Sequence, residues 1–107
     1  MTTHCFTMQL KPGFEEEYKR RHDNIWPELQ NLLIDSGIEE YYIQLNEETG
    51  VLFAFQKLKA NHTTSELPQD PIVKKWWSYM ADIMETNPDN SPVEIRLKEV
   101  FRLKPSS

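Results

Sequence analysis

The chain has 107 residues, with 12 Lys and Arg against 17 Asp and Glu, and a formal net charge of −5 at pH 7. This length predicts a single domain over residues 1–107, and the negative charge argues against nucleic acid as a partner, because phosphate backbones bind clustered Lys and Arg. No apolar run approaches the roughly 18–20 residues of a membrane span, and the single cysteine, Cys5, cannot form an intrachain disulfide, so we expect a cytoplasmic protein without a membrane partner.

The first third of the chain changes from a strand pattern to a helix pattern. Apolar and polar residues alternate over residues 4–10, which predicts a half-buried strand. Residues 14–36 instead carry apolar side chains at three- and four-residue spacing, which predicts an amphipathic helix. Because Pro27 lies inside this span and removes one backbone N–H, we expect a bend or break near residues 23–26, with Asn24 or the residue before it capping the restarted helix.

The middle of the chain predicts a β-hairpin. Apolar and polar residues alternate over residues 38–45 and again over residues 51–58, and the short turn between them ends at Gly50. Residues 59–69 are polar and show no period, so we expect an irregular connection without chemistry of its own.

The last third predicts a second helix and a final strand. Asp70 is a favoured N-cap and Pro71 a favoured first helical residue, so we expect a helix over residues 71–85. Residues 93–103 alternate and predict the last strand. The order βαββαβ is typical of the ferredoxin-like fold, an α+β architecture in which a four-stranded antiparallel sheet carries two helices on one face.

The sheet face turned away from the helices is expected to contact a second copy of the chain. Such a mixed face is too apolar to remain wholly in water and too polar for the core of a monomer, which predicts a two-fold dimer formed by sheet packing. The residues that alternation places on this face are Cys5, Thr7, Gln9, Tyr42, Gln44, Leu52, Ala54, Leu58 and Val100.

Three side chains are predicted to converge under the first helix. Tyr18 and His22 are four residues apart and therefore share a helix face, while Tyr41 lies on the strand face that the helices cover. Histidine titrates near neutral pH and can give or take a proton. A core histidine with both ring nitrogens satisfied, beside ordinary strand aromatics, explains the same pattern, so the spacing alone leaves both interpretations open.

The pair Trp76-Trp77 permits two interpretations as well. Adjacent helical residues point about 100° apart, so one indole can fill the core while the other lines a cleft. A flat indole suits the C–H face of a sugar, and its N–H can bond a hydroxyl; core filling is the simpler interpretation. The short polar side chains of residues 87–92 either form ordinary turns or present amide and carboxylate groups to ligand hydroxyls.

The motifs of several other site types are missing. The sequence has no glycine-rich phosphate loop, no CxxC and no HExxH, and His4, His22 and His62 are not at the spacing of metal ligands. We therefore expect neither a metal site nor a cofactor. Any chemistry here would be proton transfer by histidine, tyrosine or carboxylate groups.

Several segments together resemble the L-rhamnose mutarotase family, and the likeness covers about residues 4–103. Each segment alone is a weak signal, but the set is specific. The segments are Phe6-Thr7-Met8-Gln9-Leu10, Glu17-Tyr18-Lys19-Arg20-Arg21-His22, Ile25-Trp26-Pro27-Glu28-Leu29, Lys75-Trp76-Trp77-Ser78-Tyr79-Met80 and Asn87-Pro88-Asp89-Asn90-Ser91-Pro92-Val93.

The resemblance implies a homodimeric protein of the dimeric α+β barrel type that needs no cofactor. It implies an isomerase of rhamnose metabolism that interconverts the α and β anomers of L-rhamnose, with His22 as the proton donor. The residues that the resemblance assigns to sugar binding are Tyr18, Tyr41, Trp76 and Trp77. Asn87 and Asp89 are our own additional candidates for contacts to sugar hydroxyls.

Two other functions fit the same fold, because a fold does not by itself determine a function. A cofactor-free monooxygenase of the dimeric α+β barrel class would act on flat, apolar aromatic substrates, which the polar loop at residues 87–92 argues against. A sugar-sensing module would bind the same ligand without accelerating the exchange of its anomers. The distinction between sensor and enzyme is kinetic.

Overall fold

A four-stranded antiparallel sheet with the strand order β2-β3-β1-β4 organises the chain, and the helices lie on one face of it. The computed structural model describes residues 2–105; Met1, Ser106 and Ser107, which the predicted domain includes, lie outside the described residues. The predicted α+β fold is confirmed. The elements are β1 (Thr2–Gln9), α1 (Glu15–Asp23), α2 (Pro27–Asp35), β2 (Ile38–Leu45), β3 (Val51–Leu58), a 3₁₀ helix (Thr64–Gln69), α3 (Pro71–Met80) and β4 (Ile95–Arg96).

The first predicted helix is two helices, α1 and α2, with the expected break at residues 24–26. The predicted cap is wrong. The Asn24 side-chain amide donates to the carbonyl of Arg20 at 2.8 Å, so it satisfies the end of α1. Trp26 is the N-cap of α2 and makes no side-chain cap bond. Pro27 explains the position of the break, since it is tolerated only in the first turn of a helix.

The helix α3 begins as predicted and ends earlier. The Asp70 carboxylate accepts from the Ile72 backbone N–H at 2.9 Å, and Pro71 is the first helical residue. The helix ends at Met80 rather than at residue 85, and the turn that follows buries Ile83 completely. The connection predicted to be irregular also contains a regular element, the 3₁₀ helix.

The predicted last strand over residues 93–103 is mostly wrong. Only Ile95 and Arg96 pair with β1, opposite Thr7 and Phe6. The following residues form no strand within the described range, and Phe101 is 77% exposed. An alternating segment becomes a strand when its apolar face has a surface to bury, and Val100 and Leu103 bury little against the described residues.

The phase predicted for β3 is wrong. Ala54 pairs with Phe6 and Leu52 with Met8, and paired residues of neighbouring strands share a face. Leu52, Ala54 and Leu58 therefore lie in the core under the helices, all of them buried, and not on the open face. The open face carries the odd-numbered β3 residues instead, together with the predicted residues of β1 and β2. The β3 residues of the open face are Val51, Phe53, Phe55 and Lys57.

The core fills the space between the sheet and the helices. Side chains from β1, β3, α1 and the turn after α3 pack together there, and Trp76 of α3 packs against them. Within the described residues, no helix has both the length and the apolar character needed to cross a membrane. The residues of the main cluster are Phe6, Met8, Leu10, Tyr18, Leu52, Ala54, Met80, Ile83 and Met84.

Candidate active site

An open cavity of about 1370 Å³ lies between the helices and the sheet. Its lining includes residues of β1, β2 and β3 on the sheet and of α1 and α3 on the helices. The five residues proposed for the site from the sequence all line this cavity: Tyr18, His22, Tyr41, Trp76 and Trp77.

Tyr18 and His22 form a stacked pair on α1, with ring centroids 4.2 Å apart. The Nδ1 atom of His22 lies 3.0 Å from the backbone carbonyl oxygen of Tyr18. Because a carbonyl oxygen can only accept, this bond assigns the proton to Nδ1. The other ring nitrogen, Nε2, is therefore the atom of His22 that remains for proton exchange with a ligand.

The environment of His22 favours the neutral imidazole. Burial lowers the pKa of His22 from its ordinary value of 6.5, and this effect exceeds the opposing effects of the Tyr18 carbonyl and the Asp23 carboxylate. At neutral pH the free protein therefore presents a lone pair on Nε2, ready to accept a proton.

The two tyrosines stay protonated at neutral pH. Burial raises the pKa of Tyr18 far above its ordinary value, with a smaller effect from Tyr41 nearby. Burial also raises the pKa of Tyr41 to about 12, although a hydrogen bond to Gln56 acts in the opposite direction. Both phenols can therefore donate a hydrogen bond to a ligand oxygen.

The two tryptophans are both half-buried, and both line the cavity. Trp76 also packs against the core, and its ring meets His22 edge to face with centroids 5.4 Å apart. Trp76 therefore packs against the core and also lines the cavity, and Trp77 lines the cavity as well. Trp26 lies against Trp76 with perpendicular rings at 5.1 Å, a contact that the sequence pattern did not predict.

A polar row on the sheet forms the opposite wall of the cavity. His4 pairs with Gln56 across β1 and β3, and Tyr41 pairs with the same Gln56 across β2 and β3. The sequence pattern does not single out His4 and Gln56, because only the strand register places Gln56 beside Tyr41 and His4 beside Gln56. Burial lowers the pKa of His4, with Arg96 adding a smaller effect, so its ring is neutral at pH 7.

The residues that the polar loop 87–92 contributes to the cavity lining differ from the two that we expected, Asn87 and Asp89. Asn87 donates to the Ser91 hydroxyl at 3.0 Å, and the Asp89 carboxylate accepts from the Ser91 backbone N–H at 3.0 Å. These two side chains are used within the loop, and neither lines the cavity. Asn90 does line it, with a φ of 70° that places its backbone in the left-handed region.

The histidines are dispersed rather than clustered. His4 lies against Phe6 with centroids 4.8 Å apart, His22 against Tyr18, and His62 makes a 2.9 Å contact between Nδ1 and the Thr64 hydroxyl. Over residues 2–105, no three His, Cys, Asp or Glu side chains come together in a group that could hold a metal ion.

Comparison with known proteins identifies the same family that the sequence motifs resemble. The chain matches the L-rhamnose mutarotase family over residues 3–103. It is 60% identical over 99 residues to L-rhamnose mutarotase of Flavobacterium johnsoniae, covering 92% of each chain. It is 58% identical over 100 residues to that of Rhizobium johnstonii, covering 94% of each chain.

A solved structure agrees with the whole fold. The crystal structure of L-rhamnose mutarotase from Formosa agariphila superposes with a TM-score of 0.91 at 51% sequence identity, covering 97% of this chain and 100% of that one. The match extends over the strands, the helices and the segments that form the cavity. The chain belongs to the L-rhamnose mutarotase family.

Proposed function

We propose that this protein is an isomerase that interconverts the α and β anomers of L-rhamnose. The observation that carries the proposal is the stacked pair of Tyr18 and His22, whose imidazole keeps Nε2 for proton exchange beside the indole of Trp76. This pair lies in the wall of a cavity large enough for a monosaccharide. Family membership indicates which sugar.

The reaction requires two proton movements and no other reagent. The ring opens when the bond between C1 and the ring oxygen breaks; the anomeric hydroxyl then loses its proton, and the ring oxygen gains one. We propose that the neutral His22 accepts the hydroxyl proton through Nε2 and, as imidazolium, donates it to the ring oxygen. Closure on the other face of the carbonyl reverses these transfers and restores the neutral imidazole.

The remaining cavity residues would bind and orient the sugar. Trp76 and Trp77 offer an apolar wall for the C–H groups of the pyranose and for the methyl group of a 6-deoxy sugar. Tyr18 and Tyr41, protonated at neutral pH, can donate to sugar oxygens. The polar row behind Tyr41 supplies further hydrogen-bonding groups for hydroxyls on the opposite edge of the ring.

Saturation-transfer NMR on L-rhamnose at anomeric equilibrium tests the proposed function. One anomeric proton is irradiated and the other observed, with and without the protein, and related 6-deoxy sugars and pentoses are compared. We expect faster exchange with the protein present, and the fastest for L-rhamnose. Binding of the sugar without faster exchange would support the sensing module, and neither binding nor exchange would contradict both sugar functions.

We further infer that the working form is a homodimer in the cytoplasm. The open sheet face carries Tyr42 stacked on Phe55, with centroids 4.9 Å apart, and Phe53 is 44% exposed beside them. Apolar side chains of the C-terminal segment, residues 97–103, are also exposed. Many large apolar side chains exposed in this way are typical of an interface. One cysteine without a partner cysteine suits a reducing compartment.

Phe53→Glu is expected to convert the dimer to a monomer. The substitution places a charge in the centre of the proposed interface, where two copies related by two-fold symmetry would bring like charges together. Sedimentation velocity should show the wild-type protein at about twice 12.7 kDa and the variant at 12.7 kDa. Ile34→Glu on α2, also an exposed apolar residue, is the control and should remain dimeric. A wild-type protein that sediments as a monomer would contradict the inference.

A further inference from the structure

A buried guanidinium lies behind the candidate active site. The side chain of Arg21 is 9% exposed, whereas that of the preceding Arg20 is 60% exposed. The Nε atom of Arg21 donates to Glu17 at 2.7 Å, and its Nη1 donates to the backbone carbonyl of Tyr79 at 2.8 Å. Both Nη atoms reach Asp82, at 2.9 and 3.2 Å, in a bidentate pair.

These bonds join two elements that each carry part of the site. Arg21 and His22 are adjacent on α1, while Tyr79 lies in the last turn of α3, three residues after Trp76, and Asp82 lies in the turn that follows the helix. The guanidinium also covers the ring of Tyr79 at 4.5 Å from its centroid. One side chain therefore ties the helix of the proposed acid–base residue to the helix of the indole wall.

An aromatic cluster carries this connection to the cavity. The Tyr79 ring contacts Trp26 at 5.5 Å and Trp76 at 5.6 Å, and the two indoles meet edge to face. Trp76 in turn meets the edge of His22 at 5.4 Å. The set Arg21, Tyr79, Trp26 and Trp76 thus forms a continuous support behind His22.

The charges of this network persist over the neutral pH range. Hydrogen bonds from Arg20 and then Arg21 lower the pKa of Glu17 to about 2, and the bond from Arg21 lowers the pKa of Asp82. A guanidinium paired in this bidentate manner has a defined orientation that lysine cannot reproduce. Arg21 therefore contacts Glu17 and Asp82 as a charged group with one defined orientation.

We propose that Arg21 is a positioning residue that sets the place of His22 relative to the sugar on Trp76. The proposal rests on the proposed mutarotase function. Without the bidentate bond, α1 shifts against α3, while the sugar still stacks on the indoles of α3. The position of His22 relative to the reacting sugar atoms then changes, while most of the contacts that bind the sugar remain. The turnover rate should therefore fall, while the apparent affinity changes little.

Arg21→Lys tests this, with Arg20→Lys as the matched control, because Arg20 binds the same Glu17 at 2.6 Å from an exposed position. Anomer exchange is measured against L-rhamnose concentration, at a temperature where circular dichroism shows every variant folded. We expect kcat of Arg21→Lys to fall about tenfold or more, with KM within about threefold of wild type. Arg20→Lys should match wild type in both.

Two further measurements keep the proposal independent of folding and of the enzyme assignment. The NMR shift of the His22 ring proton, which depends on the rings of Tyr18 and Trp76, should move in Arg21→Lys and not in Arg20→Lys. Asp82→Asn should show the same split between kcat and KM as Arg21→Lys. Wild-type kcat in a folded Arg21→Lys variant, with an unchanged His22 shift, would overturn the proposal. If wild-type protein fails to accelerate exchange, the proposed function fails, while the His22 shift still reports on the placement by Arg21.

Discussion

His22→Asn is expected to remove most of the acceleration of anomer exchange, lowering kcat about 10²–10⁴-fold, the usual contribution of a general acid–base group. The asparagine amide is of a size to keep the donation to the Tyr18 carbonyl that Nδ1 makes at 3.0 Å. It has no group that titrates in place of Nε2. Saturation-transfer NMR on L-rhamnose measures the loss directly.

A second variant and a binding measurement separate chemistry from structure. His62→Asn is the matched control, because that ring is engaged with Thr64 and is not assigned to the reaction. It should leave kcat within about threefold of wild type. Titration with L-rhamnose should show that His22→Asn still binds the sugar. Exchange by His22→Asn at the rate of wild type would contradict the assignment of His22 to the proton transfer.

The pH profile provides a second readout of the same residue. Burial lowers the pKa of His22 below its ordinary value of 6.5, and the neutral imidazole is the form that accepts the first proton. Protonation at lower pH removes that form, so kcat/KM should be constant near neutral pH and fall about tenfold per pH unit below the pKa of His22. A kcat/KM that rises as the pH falls would instead assign the imidazolium as the starting form.

Gly37→Ala is expected to have the largest effect on stability, a loss of about 3 kcal/mol or more from the free energy of unfolding. Gly37 has a φ of 104°. This backbone conformation is energetically unfavourable for any residue that has a Cβ. A Cβ at this position would also lie 2.8 Å from the Cα and the Cβ of His62. Backbone bonds from Lys59 to Gly37 at 2.9 Å and from Thr63 to Ser36 at 2.7 Å hold His62 in place.

Gly13→Ala is the matched control for this prediction. Gly13 has a similar φ of 88°, but a Cβ added there would meet no other atom within 4 Å. The Gly13→Ala variant should therefore lose only the free energy of the unfavourable φ, about 1 kcal/mol of its free energy of unfolding. Urea unfolding of both variants measures the difference. Equal losses in the two variants would show that the chain at His62 moves aside at no cost.

The sequence was sufficient for the elements with strong local signals. Pro27 marks the break between α1 and α2, and the pair Asp70-Pro71 marks the start of α3, because each residue restricts its own backbone whatever surrounds it. The four-residue spacing of Tyr18 and His22 places both rings on one helix face for the same local reason. These features required no knowledge of the packing.

The phase of β3 and the extent of β4 could not be derived in this way. Both faces of β3 are apolar, so alternation allows either Leu52 or Phe53 to face the helices, and only the register with β1 selects Leu52. Residues 97–103 alternate as a strand should, yet they form no strand within the described residues. The alternation of apolar and polar residues can indicate a strand, but whether and how that strand pairs depends on residues that are distant in the sequence.

The site shows the same division. Residue type and helical spacing made Tyr18, His22 and the two tryptophans candidates, with core packing as the alternative, and the family resemblance implied their roles. Strand register placed Gln56 between Tyr41 and His4, and the packing of α1 on α3 buried Arg21 while it left Arg20 exposed. Two adjacent arginines are equivalent in sequence. Only the tertiary structure distinguishes them, because burial is decided by what a neighbouring element brings within reach.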